Sequence, residues 1–173
     1  MLWPFRRNKA QALYNAAAQK ARDPKFYTVM EVPDTLDGRF EMLCLITAIV
    51  MVRLSDFGKE GQRLSQDLFD KMFKTAEKSL REIGIGDMGI PKHMKRMMSG
   101  FNGRVNALDQ ALSGNVEKGK ADIKKHLRRN LYSTNDDVDD AKIDEMADFV
   151  YLYKKALDKK ELNSIRQGLL PDL

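Results

Sequence analysis

Cysteine and histidine are nearly missing from this chain. Its 173 residues include one cysteine, Cys44, and two histidines, His93 and His126. A single cysteine excludes an intramolecular disulfide and a cysteine-ligated metal cluster, and it fits a reducing compartment. The histidines lie far apart, each among Lys and Arg, with no carboxylate spaced near them as a second ligand, so no metal is expected. Long apolar runs are missing as well. The longest, Met42 to Val52, includes Thr47 and is flanked by Glu41 and Arg53. A bilayer crossing needs about 20 apolar residues, so this run is too short. Charged residues make up 32% of the chain, which argues further against an integral membrane protein. Met1 to Lys25 lacks the continuous apolar core of a secretory signal, although it is basic and alanine-rich. There are no internal repeats and no low-complexity segments.

The motifs of catalysis are absent too. The glycine loop Ile83 to Ile90, IGIGDMGI, lacks the Gly-Lys-Ser/Thr ending of a phosphate-binding loop and follows a helix instead of a strand. Asp136, Asp137, Asp139 and Asp140 lack the turn glycine and the distal glutamate of a calcium loop. Asp34, Asp37 and Glu41 form a carboxylate group of the kind used in acid–base work, but helix capping accounts for the first two more simply. No serine or cysteine has a base beside it. The chain therefore reads as a non-enzyme with no cofactor and no catalytic residue.

What the chain has is helix signal. Its 43% hydrophobic content supports a real core. Helices are expected over Ala10–Ala21, Asp34–Leu54, Gln62–Ile83, Lys92–Leu112, Val116–Tyr132, Lys142–Leu157 and Lys160–Gln167, an all-α domain of about six to seven helices. Phe26 to Val32 alternates poorly and reads as an extended connector. Pro33 holds Val32 extended, and either Asp34 or Thr35 can cap the helix that follows. From Phe40 onward that helix is apolar on every face, which places it at the centre of the core or against a partner. The expected organisation is a basic N-terminal segment over residues 1–25, a helical domain over 26–167 and a tail over 168–173.

Charge is unevenly distributed around a net of +5. Met1–Lys25, Lys92–Arg104 and Lys118–Arg129 are basic, whereas Asp136–Asp148 is acidic. Segregation of this kind points to an anionic partner such as RNA, a ribosome or lipid headgroups. The alternative is that acidic and basic segments face each other inside the fold. The Lys92 helix carries a stripe of Met94, Met97, Met98 and Phe101, with Lys92, Lys95 and Arg96 on its opposite side. This stripe reads either as an ordinary core face or as an adaptable surface for an apolar partner. Arg104 follows in the same helix, and Arg39, just inside the central helix, can bridge to Asp37 or to a partner carboxylate. The start MLWPFRR places Leu2, Trp3 and Phe5 beside Arg6 and Arg7, an amphipathic pattern suited to a membrane surface. Beyond the N-terminal segment, only Phe101 and Tyr132 interleave with basic stretches, which leaves no clear stacking platform for RNA, and no specific DNA binding is expected.

The string FYTVMEVPDTLDGRFEMLCL, the later string LFDKMFKTAEKSLREIGIGDMGIPKHMKRM and then Gly103-Arg104 occur in that order. Together they resemble the ubiquinol–cytochrome c chaperone family over about Phe26 to Leu112, with weaker similarity to about Leu157. The resemblance implies an all-helical assembly chaperone for the cytochrome bc1 complex of the respiratory chain. Its implied client is newly made cytochrome b, its implied helper is a small partner chaperone subunit, and mitochondrial members also contact the ribosome. Without a long presequence the chain looks like a bacterial member, cytoplasmic and peripheral to the inner membrane, with the mitochondrial matrix as the eukaryotic equivalent. The sequence then offers Met94, Met97, Met98 and Phe101 for an apolar client. It offers Arg39, Lys92, Lys95, Arg96 and Arg104 for an anionic one. The competing reading is a helical module that binds lipid at a membrane surface.

Overall fold

The central helix sets the architecture. In the computed structural model, which describes residues 4–173 with side chains from Ala10 onward, it is α3, Leu36–Ser55. Cys44 through Val50 is buried without a break. Thr35 caps α3, its hydroxyl accepting from the Gly38 N–H at 3.1 Å. Pro33 folds back over this first turn so closely that a side chain at Gly38 would run into the Pro33 carbonyl. The Pro-Asp-Thr-Leu-Asp-Gly order is thus a steric requirement of the helix start. Asp34 is left free of capping and pairs instead with Arg39 at 2.6 Å. Arg39 therefore bridges to Asp34 and not to Asp37, because Asp34 lies in the extended segment just outside the helix.

Around α3 the described residues form seven further helices and no strand: α1 Pro4–Ala21, α2 Pro24–Thr28, α4 Gly58–Glu82, α5 Ile90–Ser113, α6 Val116–Arg129, α7 Asp140–Asp158 and α8 Leu162–Arg166. α3 packs against α1, α4, α5 and α7, so most of its apolar surface is covered by the chain itself, while Leu36, Phe40 and Leu43 stay at least partly open. Each large apolar side chain buried in this way contributes about 1.5–3 kcal/mol. α1 packs into the same core through Leu13, Ala17, Ala18 and Ala21, so residues before Phe26 share the core of those after it. The extended connector expected over Phe26–Val32 is corrected in part. Pro24 opens the short α2, capped by Asp23, whose side chain accepts from the Lys25 N–H at 3.1 Å. Only after Thr28 does the chain extend, and the Tyr132 hydroxyl fastens it by donating to the Met30 carbonyl at 2.8 Å.

On the far side, α6 and α7 lie against each other with their charges matched. Lys120 pairs with Asp148, Lys124 with Asp144 at 2.5 Å, and Arg128 with Asp140. Both sets step by four residues, one helical turn, in opposite chain directions. On this face the basic and acidic segments therefore satisfy each other, and Lys120, Lys124 and Arg128 are not free cations. Asp139 of the acidic turn caps α7, its side chain accepting from the Ala141 N–H at 2.9 Å.

Candidate functional site

α1 and α5 each pack on both α3 and α4, and between these four helices a groove of about 770 Å³ opens to solvent. Tyr14, Phe40, Leu43, Met72 and Leu80 supply apolar lining. Leu36 and Ile83 also line it, and they are 63% and 56% exposed, so two large apolar side chains lie in water beside its apolar lining. Four arginines line the same groove, Arg22, Arg39, Arg96 and Arg104, against two carboxylates, Asp37 and Glu41. No lysine lines it.

The structure divides the site residues that the sequence offers. Arg39, Arg96, Met97 and Arg104 come together on the groove. Lys92 and Lys95 are exposed on the first turns of α5, outside the lining. Met94 and Met98 are half-buried against the core. Phe101 is fully buried, with ring centroids of Phe69 and Phe73 at 5.9 and 5.7 Å. The methionine stripe thus splits by register. Positions 94, 98 and 101 turn to the core, 93, 96, 100 and 104 form the groove wall, and Met97 packs against the core while lining the groove. Leu2, Trp3, Phe5, Arg6 and Arg7 fall outside the described side chains. Sequence reasoning missed Arg22 and the contributions of α1 and α4. Tyr14 and Leu80 look like ordinary helix-face residues, and nothing local marks them as neighbours.

Two of the arginines are already engaged. Arg104 donates to Glu41 at 2.7 Å and to the Asn130 side-chain oxygen at 3.2 Å, tying α5 to α3 and to the end of α6. Both ion-pair members are about four-fifths buried. Burial pushes the Glu41 carboxyl above its ordinary range, and Arg104 opposes that shift. Behind the pair lies a cavity of about 10 Å³, lined among others by Cys44, His126 and Asn130. Burial drives the Cys44 thiol far above its ordinary range, which makes it a poor nucleophile. His126 is pushed down to about 4, first by burial and then by Arg104 and Arg129, so it is neutral at physiological pH. Arg39 is held by Asp34 and lies 5.9 Å from the Tyr27 ring centre. Its hydrogen bond holds the Asp34 carboxyl below the usual range. Arg22 and Arg96 have no counterion among the described residues, nor do Lys92 and Lys95. Among the described residues no group of three or more His, Cys, Asp or Glu is placed to hold a metal ion.

What the arrangement can do is bind. An apolar-lined groove with exposed apolar residues at its edge and unpartnered guanidinium groups suits a segment of another molecule. Known proteins support this direction. The Cbp3 homolog from Brucella abortus has a crystal structure that superposes with a TM-score of 0.81 at 28% identity, covering 95% of this chain and 88% of that one. No curated protein matches the chain closely enough to carry an argument. The sequence profile of the family described as ubiquinol-cytochrome C chaperone matches residues 28–170, nearly the whole folded core, and the chain belongs to that family.

Proposed function

We propose that this protein is an assembly chaperone for the cytochrome bc1 complex. It holds newly made cytochrome b at the cytoplasmic face of the inner membrane through the groove between α1, α3, α4 and α5. The carrying observation is the groove itself: apolar lining with Leu36 and Ile83 left exposed at its edge. Leaving such side chains in water is unfavourable, and burial against an apolar client segment removes that cost. The groove volume suits one face of a helix or a short extended segment. Met97, unbranched and polarizable, adapts its wall to irregular client side chains. Among the described residues no helix is long and apolar enough to cross a membrane, so contact with the bilayer is peripheral in this reading. A small partner subunit and a ribosomal contact are compatible additions.

The test is affinity purification of the tagged protein from its own cells in mild detergent, followed by mass spectrometry. Cytochrome b is expected to be enriched over other membrane proteins. Ala76→Glu, which fills the groove from α4, should abolish that enrichment while the thermal melting curve stays intact. Equal recovery of cytochrome b by the variant would remove the groove from the account.

One observation favours a lipid-binding reading beside this one. Met88, in the loop from α4 to α5, is 98% exposed, and the unpaired Lys92 and Lys95 follow it. An apolar tip flanked by cations suits an anionic membrane surface. Flotation with phosphatidylglycerol vesicles and no client tests it. Met88→Glu combined with Lys92→Glu should abolish flotation, and a protein that never floats overturns this reading.

A further inference from the structure

We infer that the groove selects its occupant by a carboxylate: it takes an apolar segment that carries an acidic side chain, and Arg22 and Arg96 are the residues that read it. The inference rests on the chaperone reading above and adds to it the chemistry of the client segment.

Three observations carry it. First, the cations lining the groove are arginines without exception, although α5 also carries Lys92 and Lys95 close by. A guanidinium presents a planar fork that matches a carboxylate with two parallel hydrogen bonds, whereas an ammonium acts as a point charge. Second, the four arginines fall into two classes. Arg39 and Arg104 already have Asp34 and Glu41 at 2.6 and 2.7 Å. Their direction is set, and their charge is largely answered. Arg22, at the end of α1, and Arg96, on α5, have no acidic partner among the described residues, although both belong to the groove lining. The remaining lining acid, Asp37, sits in the first turn of α3, where the helix dipole already favours it. Two guanidinium groups beside apolar walls therefore lack a counterion. Third, Arg22 directly follows α1 and Arg96 lies on α5, two helices that both pack on α3 and α4, so a segment lying along the groove meets one from each wall.

Apolar contact along the lining gives affinity that is blind to sequence. The arginines add discrimination. A carboxylate placed against them gains charge-assisted hydrogen bonds in a partly dehydrated site. An amide gains less, and an ammonium is repelled. An apolar segment with no acid leaves Arg22 and Arg96 desolvated and unpaired, which weakens binding further.

The experiment uses the full chain and three fluorescein-labelled helical peptides of identical leucine- and alanine-rich sequence. At two positions one turn apart they carry Glu, Gln or Lys. Binding is followed by fluorescence anisotropy at low and moderate salt. The Glu peptide is expected to bind at least about tenfold tighter than the Gln peptide, with the Lys peptide weakest. In the Arg22→Gln/Arg96→Gln double variant the three affinities should converge within about twofold, at the level of the Gln peptide on the parent protein. Both positions are exposed or on the groove edge, and unchanged melting behaviour of the variant is checked alongside. Equal binding of the three peptides by the parent protein overturns the inference. So does a Glu preference that survives in the double variant. Displacement of the Glu peptide by phosphatidylglycerol vesicles, but not by neutral ones, would assign the arginines to lipid phosphate and overturn it too. Copurification of cytochrome b is scored separately. If the double variant still captures cytochrome b while showing no peptide preference in either form, the selection fails and the chaperone reading stands.

Discussion

The first turns of α5 and the whole of α6 are similarly basic, and the fold treats them in opposite ways. α6 follows the rules of a stable helix. Asn115 caps it, Glu117 sits in its first turn, and His126, Arg128 and Arg129 occupy its last. Three of its cations, Lys120, Lys124 and Arg128, then meet Asp148, Asp144 and Asp140 of α7. α5 reverses this order. Gly89 gives no side-chain cap, no acid lies in the first turn, and no base lies in the last. Lys92, Lys95 and Arg96 crowd the positive end of the helix dipole without a counterion. The difference teaches that basic composition alone says nothing about a binding surface. A cation matters for binding when the fold leaves it unanswered, and α5 accepts a local cost to present such cations beside an open groove.

The contrast is sharpest within α5 itself, where Arg104 is buried and paired and Arg96 is neither. Arg104→Ala should produce the largest loss, about 3 kcal/mol, because it strands Glu41 in a buried site. Urea denaturation measures it. A loss below about 1 kcal/mol would mean that water replaces the guanidinium without difficulty.

The neutral histidine of α6 gives the next effect. Its folded-state value of about 4 lies below the ordinary 6.5, so the fold favours the uncharged ring. That stability is fully present above pH 6.5 and is lost as pH falls from 6.5 towards 4. His126→Gln should therefore lose less stability on acidification than the parent, by roughly 2 kcal/mol after allowance for partial exposure. Glu41, whose carboxyl is pushed up, works in the opposite sense but is common to both proteins. Parallel denaturation curves at pH 7 and pH 4.5 decide the matter, and identical acid losses would contradict the buried, neutral ring.

Smaller and opposite effects test the two basic surfaces directly. Asp144→Lys breaks a rung of the α6–α7 ladder and should cost up to about 1 kcal/mol at low salt, with the cost shrinking at 0.5 M salt. Lys92→Glu should raise the stability of the fold by a few tenths of a kcal/mol, since it places an acid near the start of α5. Thermal melting at two salt concentrations compares them. If Lys92→Glu destabilises the protein, then Lys92 has a structural counterpart and the contrast between the helices collapses.

Much of the fold was legible from local patterns. The six long helices follow from apolar patterning and, for α1, alanine content, and the apolar faces of α3 place it either at the centre of the core or against a partner. Boundaries moved where capping chemistry overrode periodicity. Asp139 starts α7 two residues ahead of the apolar pattern, and Pro24 opens a helix in a stretch that alternates poorly. The candidate site was legible only in part. Arg39, Arg96, Met97 and Arg104 are on the groove, but Phe101 belongs to an aromatic cluster with Phe69 and Phe73. An apolar stripe fixes which residues share a helix face, not whether a neighbouring helix covers them. Arg22 gave no signal, because its role depends on where the end of α1 comes to rest.

The sequence by itself determined the all-helical class, the buried α3, the start of α3 at Val-Pro-Asp-Thr-Leu-Asp-Gly and the resemblance to a chaperone family. These rest on interactions within a few residues, where spacing along the chain is spacing in the molecule. Only the tertiary structure decided which charges cancel and which stay open. Whether a cation finds a carboxylate depends on contacts between helices far apart in sequence. That pairing answered Lys120, Lys124 and Arg128 of α6, anchored Arg104, and left Arg22 and Arg96 facing the groove.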